Sequence, residues 1–328
     1  MCTTALAVVV GLLLVNLFKG SFTPLPSTEI EGLAYEAKDA PSVMSVIVNI
    51  FPDNLFKPMV NADMLPVIVI SIFLGAGCLA AGEKGEKIGE FINYAQAVVM
   101  KIMMMIISFT PIGVFCLMTD VVAVNGPQII GKLALIIAVA YIGYIAHVVI
   151  VYGLSVKFLS KMSPFAFFKG IAPAMITAFT TTSSNATLPV NIECCNKMGA
   201  EPEISAFVLP LGATINMDGT AIYQAVCAVF IACCYGIDLT LGQMAMIVLT
   251  ATLASVGTAG TPGAGMIMLA MVLTSVNLPV EGIALIAGVD KLFDMGRTTL
   301  NITGDATCAM WISRLEREKK AKLAAKAK

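Results

Sequence analysis

The chain has 328 residues, of which 58% are hydrophobic and only 12% are charged, and its formal net charge at pH 7 is −1. Because a soluble domain carries about 25% charged residues, this composition excludes an ordinary soluble protein. Several apolar stretches reach the roughly 20 residues that a helix needs to cross a bilayer, and they do not alternate like barrel strands. We therefore predict an all-α membrane protein with multiple helices.

The first 120 residues predict membrane helices separated by polar loops. Residues 1–19 are apolar but lack a basic start, which favours the remnant of a transmembrane helix over a signal peptide. Residues 20–42, with three prolines and several acids, predict an exposed loop. Residues 43–120 predict scaffold-type helices, interrupted by a solvated loop at EKGEKIGE (83–90).

The second half predicts a transport core at 127–315 in which one pattern occurs twice. Each copy has two short apolar limbs joined by a polar tip, followed by a helix with polar groups set into it. In order, the predicted elements are a helix at 128–159, an inner hairpin at 164–198, a broken helix at 203–234, an outer hairpin at 240–276, a last helix at 281–313 and a basic tail at 314–328. Interrupted segments at matching positions of two halves point to a binding site between inverted repeats.

Basic residues predict the orientation of these elements. The tail after Trp311 carries seven lysines and arginines, and Lys169 and Lys197 flank the first hairpin, whereas the second hairpin has no basic flank. The positive-inside rule therefore places the tail in the cytoplasm. The first hairpin would enter from the cytoplasm and the second from outside.

The last helix carries polar groups on one face. At about 100° per residue, its polar side chains fall within a strip of about 100° that Lys291 borders. Burying ionised groups in hydrocarbon is costly, so this strip must face protein, water or ligand. An ion-pair seam of Arg297 with Asp290 and Asp294 is the plainer interpretation, although it would leave Asn301 and Asp305 without partners. The strip consists of Asp290, Asp294, Arg297, Thr298, Asn301 and Asp305.

These residue types predict capture of an acidic amino acid with a cation. An interrupted backbone leaves amide N–H groups free to bind one carboxylate. The planar guanidinium of Arg297 can bind a second carboxylate at two points. Asp294 can hold an ammonium. Freed carbonyls and the oxygens of Asn216, Asp218, Asn301 and Asp305 suit alkali or alkaline-earth cations. His147, the single histidine, is either a proton relay or a satisfied packing residue.

Four motifs then carry a resemblance that covers nearly the whole chain. They are SSNATLP at 183–189, NMDGT at 216–220, SVGTAGTPGAG at 255–265 and DMGRTTLNITGD at 294–305. In this order they resemble the signatures of the dicarboxylate/amino acid:cation symporters, the glutamate–aspartate transporter family. The resemblance implies a homotrimer whose transport domain moves like an elevator against a fixed scaffold, with sodium as the coupling ion and no organic cofactor. The outer hairpin would act as the lid.

The resemblance also implies roles for individual residues. Substrate contacts would come from Thr182, Ser184, Thr220, Gly265, Asp294, Arg297, Thr298 and Asn301. One sodium site would use Gly212, Asn216, Asn301 and Asp305; a second would use Thr214, Ser255, Val256 and Thr258; a third would use Asp218 and Asn216 with Thr3 and Thr4.

This chain departs from the family pattern in two ways. Members often carry an additional arginine at the inner tip or in the last helix, where this chain has Thr182 and Met295. The family also begins with two further helices and half of a third, so we expect this chain to lack two scaffold helices.

Other functions remain as alternatives at this point. An intramembrane aspartyl protease would use Asp294 with Asp218 or Asp290, but Arg297 would favour ionisation of both acids. An ion channel would repeat its carbonyls around a pore, whereas these motifs gather around one asymmetric site. A C4-dicarboxylate carrier needs no partner for an ammonium, and a neutral amino acid carrier does not need Arg297.

Overall fold

The computed structural model describes residues 2–22, residues 51–108 except 53, 62 and 63, isolated positions 112, 115, 119 and 123, and residues 128–256 and 264–326. The described residues form helices and turns without a strand. The helices are α1 (Cys2–Phe18), α2 (Lys57–Asn61), α3 (Met64–Ala80), α4 (Glu83–Ser108), α5 (Gln128–His147), α6 (Gly153–Phe158), α7 (Pro164–Thr181), α8 (Ser184–Lys197), α9 (Pro202–Ile215), α10 (Asp218–Cys234), α11 (Leu241–Val256), α12 (Ala264–Ser275), α13 (Ile283–Ala287) and α14 (Asp290–Lys326).

The limits of two elements differ from those expected. The segment at 83–90 is exposed but helical, because Glu83 and Glu86 in the first turn of α4 favour a helix start. The last helix begins at Asp290, after a turn that separates it from α13, and it runs on through the basic tail to Lys326. The tail is rich in helix-forming Ala, Glu and Lys, so it continues α14 instead of ending it.

Both predicted hairpins correspond to pairs of helices. The first consists of α7 and α8, which pack against each other around a turn of only two residues, Thr182 and Ser183. The second consists of α11 and α12, and its tip at 257–263 lies outside the described residues. The broken helix consists of α9 and α10, and only Asn216 and Met217 interrupt it.

Helix α10 is the centre of the larger apolar core. All 17 of its residues are buried, and from Ala225 onward the helix is apolar on every side, as expected of a buried helix. Helices α1, α5, α11, α12 and α14 pack around it. Phe22, after the short turn that follows α1, packs edge-on against Phe230 with ring centroids 5.4 Å apart.

A second apolar core joins the first hairpin to α9 and to the later part of α14. Phe167 and Ile171 of α7 and Leu209 of α9 pack there with Ile302 and Ala306 of α14. The earlier residues of α14 belong instead to the first core. Helix α14 therefore crosses from one core to the other, and its polar strip lies between them.

Three described helical stretches are long and apolar enough to cross a membrane: Cys2–Ser21, Gly131–Phe158 and Pro202–Cys234. Helix α14 is not among them, since its polar and charged residues lower its mean hydropathy. Its residues from 301 to 307 are instead buried by the surrounding protein.

Candidate functional site

The polar strip of α14 is buried against other helices. Each of its six members, Asp290, Asp294, Arg297, Thr298, Asn301 and Asp305, is at most 4% exposed. Charged groups at this depth need partners, because an unpaired buried charge is costly. The partners come from the break in the broken helix, from α10 and from the strip itself.

Arg297 lies at the centre of the first half of the strip. Its Nε donates to Asp294 Oδ1 at 2.8 Å, and its Nη1 donates to Asp290 Oδ1 at 3.2 Å. The guanidinium also stacks on the ring of Tyr223, 4.7 Å from the centroid. Gly265, at the start of α12, comes so close that a Cβ there would lie 2.5 Å from Arg297 Cζ. The predicted ion-pair seam is therefore present, and it directly adjoins the second hairpin.

Asn301 and Asp305 lie outside this seam and find their partners in the broken helix. Asn301 Oδ1 accepts a hydrogen bond from the backbone N–H of Gly219 at 2.7 Å. Asp305 Oδ1 accepts from Asn216 Nδ2 at 3.1 Å, and the same amide reaches the carbonyl of Asn301 at 3.2 Å. The break between α9 and α10 frees the backbone and side-chain groups that satisfy α14, and sequence periodicity alone did not show this pairing.

The first hairpin brings its tip to the same region. Thr182 ends α7 in the left-handed conformation, with φ 53° and ψ 32°. Ser183 caps α8, accepting a hydrogen bond from the backbone N–H of Ala186 at 3.2 Å. Lys291 Nζ donates to Thr182 Oγ1 and so links the tip to α14. The sequence placed Lys291 only at the border of the strip, without a partner.

Asp218 is the centre of a second buried group. Its carboxylate accepts from Thr4 Oγ1 and from the Tyr152 hydroxyl, both at 2.7 Å, and from Thr3 Oγ1 at 3.5 Å. His147 Nε2 lies 3.2 Å from Asp218 Oδ2, the oxygen that Tyr152 also contacts. The structure therefore brings Asp218, Thr3 and Thr4 together, as the resemblance implied. His147 is buried and its Nε2 pairs with Asp218, whereas its Nδ1 has no hydrogen-bond partner within the described part of the chain.

Tyr152 was not identified from the sequence, and the reason is local backbone geometry. Residues five apart on a regular α-helix point about 140° apart, so His147 and Tyr152 would not share a face. The segment Val148–Tyr152 is instead a π-helical turn, whose wider i→i+5 bonding changes this angle. The two rings meet edge-on with centroids 4.9 Å apart, and both contact Asp218.

A cavity of about 410 Å³ connects several predicted cation ligands. Thr3, Gly212, Asn216 and Asp305 line it, together with apolar side chains of α9 and α14. Gly212 packs so closely that a Cβ there would lie 2.6 Å from Asp305 Oδ1. Close approach of the α9 backbone to a carboxylate therefore requires glycine at this position.

The remaining predicted residues are placed as follows. Asn301 Nδ2 lies 3.4 Å from Thr220 Oγ1, and Thr298 Oγ1 donates to Asp294 Oδ1 at 3.2 Å. For the second cation set, the hydroxyl of Thr214 is bonded within α9 and that of Ser255 within α11. The two helices pack together, but Thr258 and the side chain of Val256 lie outside the described residues.

Comparison with known proteins identifies the family. The model of the sodium:dicarboxylate symporter family matches residues 1–315. The chain belongs to this family. Among its relatives is the proton/sodium-glutamate symport protein of Geobacillus stearothermophilus, 34% identical over 319 residues that cover 95% of this chain and 76% of the relative.

Animal relatives extend this match. Human excitatory amino acid transporter 3 is 34% identical over 357 residues, which cover 93% of this chain and 68% of that protein. Mouse excitatory amino acid transporter 2 is 40% identical over 254 residues, which cover 76% of this chain and 44% of that protein. The family consists of membrane transporters and not of enzymes, which excludes the aspartyl protease and favours a carrier over a channel.

Proposed function

We propose that this symporter carries glutamate or aspartate into the cell together with sodium ions. The observation that carries the proposal is the buried guanidinium of Arg297, held between two carboxylates and the start of the second hairpin. A planar guanidinium binds a carboxylate at two points, and a neutral solute would not use it. The names of the bacterial and animal relatives agree with an acidic amino acid as substrate.

In this proposal, Arg297 binds the side-chain carboxylate of the substrate and Asp294 binds its ammonium. The α-carboxylate contacts the hairpin tips at Thr182, Ser184 and Gly265. Asp294 already bonds Arg297 and Thr298 in the structure, so binding exchanges contacts within a site whose polar groups are already satisfied. Thr298, Asn301 and Thr220 complete the polar contacts.

The cations are cargo that travels with the amino acid. The contacts of Asp305 with Asn216, and of Asp218 with Thr3 and Thr4, support two oxygen-rich sodium sites. A third site would use backbone carbonyls near the second hairpin. The proposed ligands are Gly212, Asn216, Asn301 and Asp305; Asp218, Asn216, Thr3 and Thr4; and Thr214, Ser255, Val256 and Thr258.

We further propose that α5, the two hairpins, the broken helix and α14 move as one transport core, in a homotrimer of the cell membrane with a cytoplasmic C-terminus. The shared cores around α10 and α14 support movement of these elements as one body. Helices α3 and α4 pack mainly against each other, as expected of a separate scaffold part.

Radiolabelled L-aspartate uptake into proteoliposomes tests the proposal. We expect saturable, stereoselective uptake that an inward sodium gradient drives, and we expect Arg297→Ala to abolish it. Excess unlabelled L-glutamate should compete, whereas succinate and L-alanine should not. Uptake that does not respond to the gradient would refute sodium coupling. Uptake that succinate or L-alanine blocks as well as L-glutamate does would assign a C4-dicarboxylate or a neutral amino acid instead.

A further inference from the structure

Lys291 places an ammonium group at the tip of the first hairpin. It lies on α14 one turn before Asp294 and two turns before Thr298, so all three share one side of the helix. Its Nζ donates to the hydroxyl of Thr182, 109 residues away in the chain, and Thr182 is 1% exposed. In a membrane protein, an ionisable residue beside a binding site is itself a candidate for function.

The contact is not needed to satisfy the hairpin tip. Thr182 Oγ1 already donates to the carbonyl of Thr181 at 2.7 Å, and the backbone N–H of Thr182 bonds the carbonyl of Ala178 at 2.8 Å. Lys291 itself is exposed and belongs to neither apolar core. Neither apolar packing nor an unsatisfied polar group at the tip therefore explains why Lys291 contacts Thr182.

The net charge of the site suggests a function for Lys291. The side chains of Asp290, Asp294 and Arg297 sum to a formal charge of −1 beside the proposed substrate position. An acidic amino acid is itself a monoanion, so this net charge repels it. The ammonium of Lys291 brings the formal charge of the four side chains to zero. Although Lys291 is exposed, its bond to the buried Thr182 holds the ammonium at the hairpin tip, where it can attract a substrate carboxylate.

We propose that Lys291 is a second cationic specificity residue, which makes the site neutral and draws the substrate carboxylate to the tip of the first hairpin. This inference rests on the proposed acidic substrate. It assigns Arg297 and Lys291 to different ends of the ligand, Arg297 toward the second hairpin and Lys291 toward the first. The lysine would thereby favour anionic over neutral amino acids.

The test is equilibrium binding of L-aspartate to the purified protein at saturating sodium. Lys291→Met removes the charge and keeps most of the side-chain length, and we expect it to weaken L-aspartate binding about tenfold. Lys291→Arg keeps the charge and should stay close to wild type. Thr182→Val removes the hydroxyl but leaves the ammonium, so it should have the smaller effect if charge, and not the hydrogen bond, matters.

L-asparagine, the neutral counterpart of the substrate, supplies the second readout. Its weaker binding should be unchanged or improved by Lys291→Met. Equal loss for both ligands, or wild-type L-aspartate binding in Lys291→Met, would overturn the inference. Failure of the wild-type protein to bind L-aspartate would refute the proposed function instead, so the two failures are distinguishable. Thermal unfolding of each variant checks that Lys291→Met is folded.

Discussion

Helix α14 carries two groups of ion pairs whose geometry is similar and whose surroundings differ. In its first half, Arg297 meets Asp294 at 2.8 Å and Asp290 at 3.2 Å, and the three side chains are 3–6% exposed. In its basic end, Lys320 meets Glu201 at 2.6 Å with side chains 54% and 21% exposed. Distance alone would rank the second pair as the stronger one. Burial reverses the ranking, because breaking a buried pair leaves a desolvated charge, whereas breaking an exposed pair does not.

This difference in burial distinguishes a binding site from a structural contact. A buried pair is costly to assemble, and apolar residues of equal volume would often stabilise a fold better. The first group is therefore best explained by binding. The basic end attaches α14 to neighbouring elements: Arg314 donates to the carbonyl of Leu159, and Ser313 Oγ accepts a hydrogen bond from the backbone N–H of Glu201, at the start of α9, at 2.7 Å.

The largest expected effect comes from removing the centre of the buried group. Arg297→Met leaves Asp290 and Asp294 without their cation, and we expect a loss of about 3–5 kcal/mol in the free energy of unfolding. Denaturation of the purified protein measures it. The double variant Asp290→Asn/Arg297→Met should regain part of the stability but no L-aspartate binding. If Arg297→Met were as stable as wild type, the buried ion pairs of α14 would contribute no more to stability than the exposed pair at its basic end.

A smaller effect is expected from crowding a buried carboxylate without removing it. In Gly212→Ala the new Cβ would lie 2.6 Å from Asp305 Oδ1, so the carboxylate must shift away from Asn216. We expect the sodium concentration for half-maximal uptake to rise about tenfold. Gly242→Ala in α11 is the matched control, since its Cβ would meet its nearest neighbour at 3.9 Å. Equal sodium dependence in the two variants would contradict the proposal that Asp305 is a sodium ligand.

Sequence patterns predicted most of the organisation but little of the pairing. Helical periodicity placed the strip from Asp290 to Asp305 on one face, and Gly, Pro and polar motifs predicted the hairpins and the broken helix. Pairing depends on backbone geometry that has no periodic signal: the two-residue break at Asn216 and Met217, and the π-turn that directs Tyr152 toward Asp218. Lys291 was visible as a charge, but its contact with Thr182 joins segments 109 residues apart.

A moderate effect is expected where one hydrogen bond among several is lost. Thr4→Val removes the 2.7 Å bond to Asp218 Oδ1 and leaves the Tyr152 and His147 contacts in place. Because Asp218 keeps its other hydrogen-bond partners, we expect the sodium concentration for half-maximal uptake to rise only several-fold, less than in Gly212→Ala. Thr4→Ser keeps the hydroxyl and should restore the wild-type value. A wild-type sodium dependence in Thr4→Val would show that the Thr4 hydroxyl contributes nothing to cation binding.

The smallest effect is expected at the basic end of α14. Lys320 and Glu201 pair at 2.6 Å, yet both stay in contact with solvent, so water replaces the partner that Lys320→Ala removes. The hydrogen bond to Glu201 raises the pKa of Lys320 further above neutral. The lysine therefore stays charged throughout the neutral range, and its contribution is lost only as the pH rises through that higher value.

We expect Lys320→Ala to leave the thermal midpoint and L-aspartate uptake unchanged at neutral pH, in low and in high salt. Glu201→Gln is the matched change on the other side of the pair and should be equally silent, because the backbone N–H of Glu201 keeps its bond to Ser313. If Lys320→Ala instead destabilised the protein as strongly as Arg297→Met, the distance between the charges, and not their burial, would determine how much each ion pair of α14 contributes to stability. The buried group around Arg297 would then lose the energetic argument that it is a binding site.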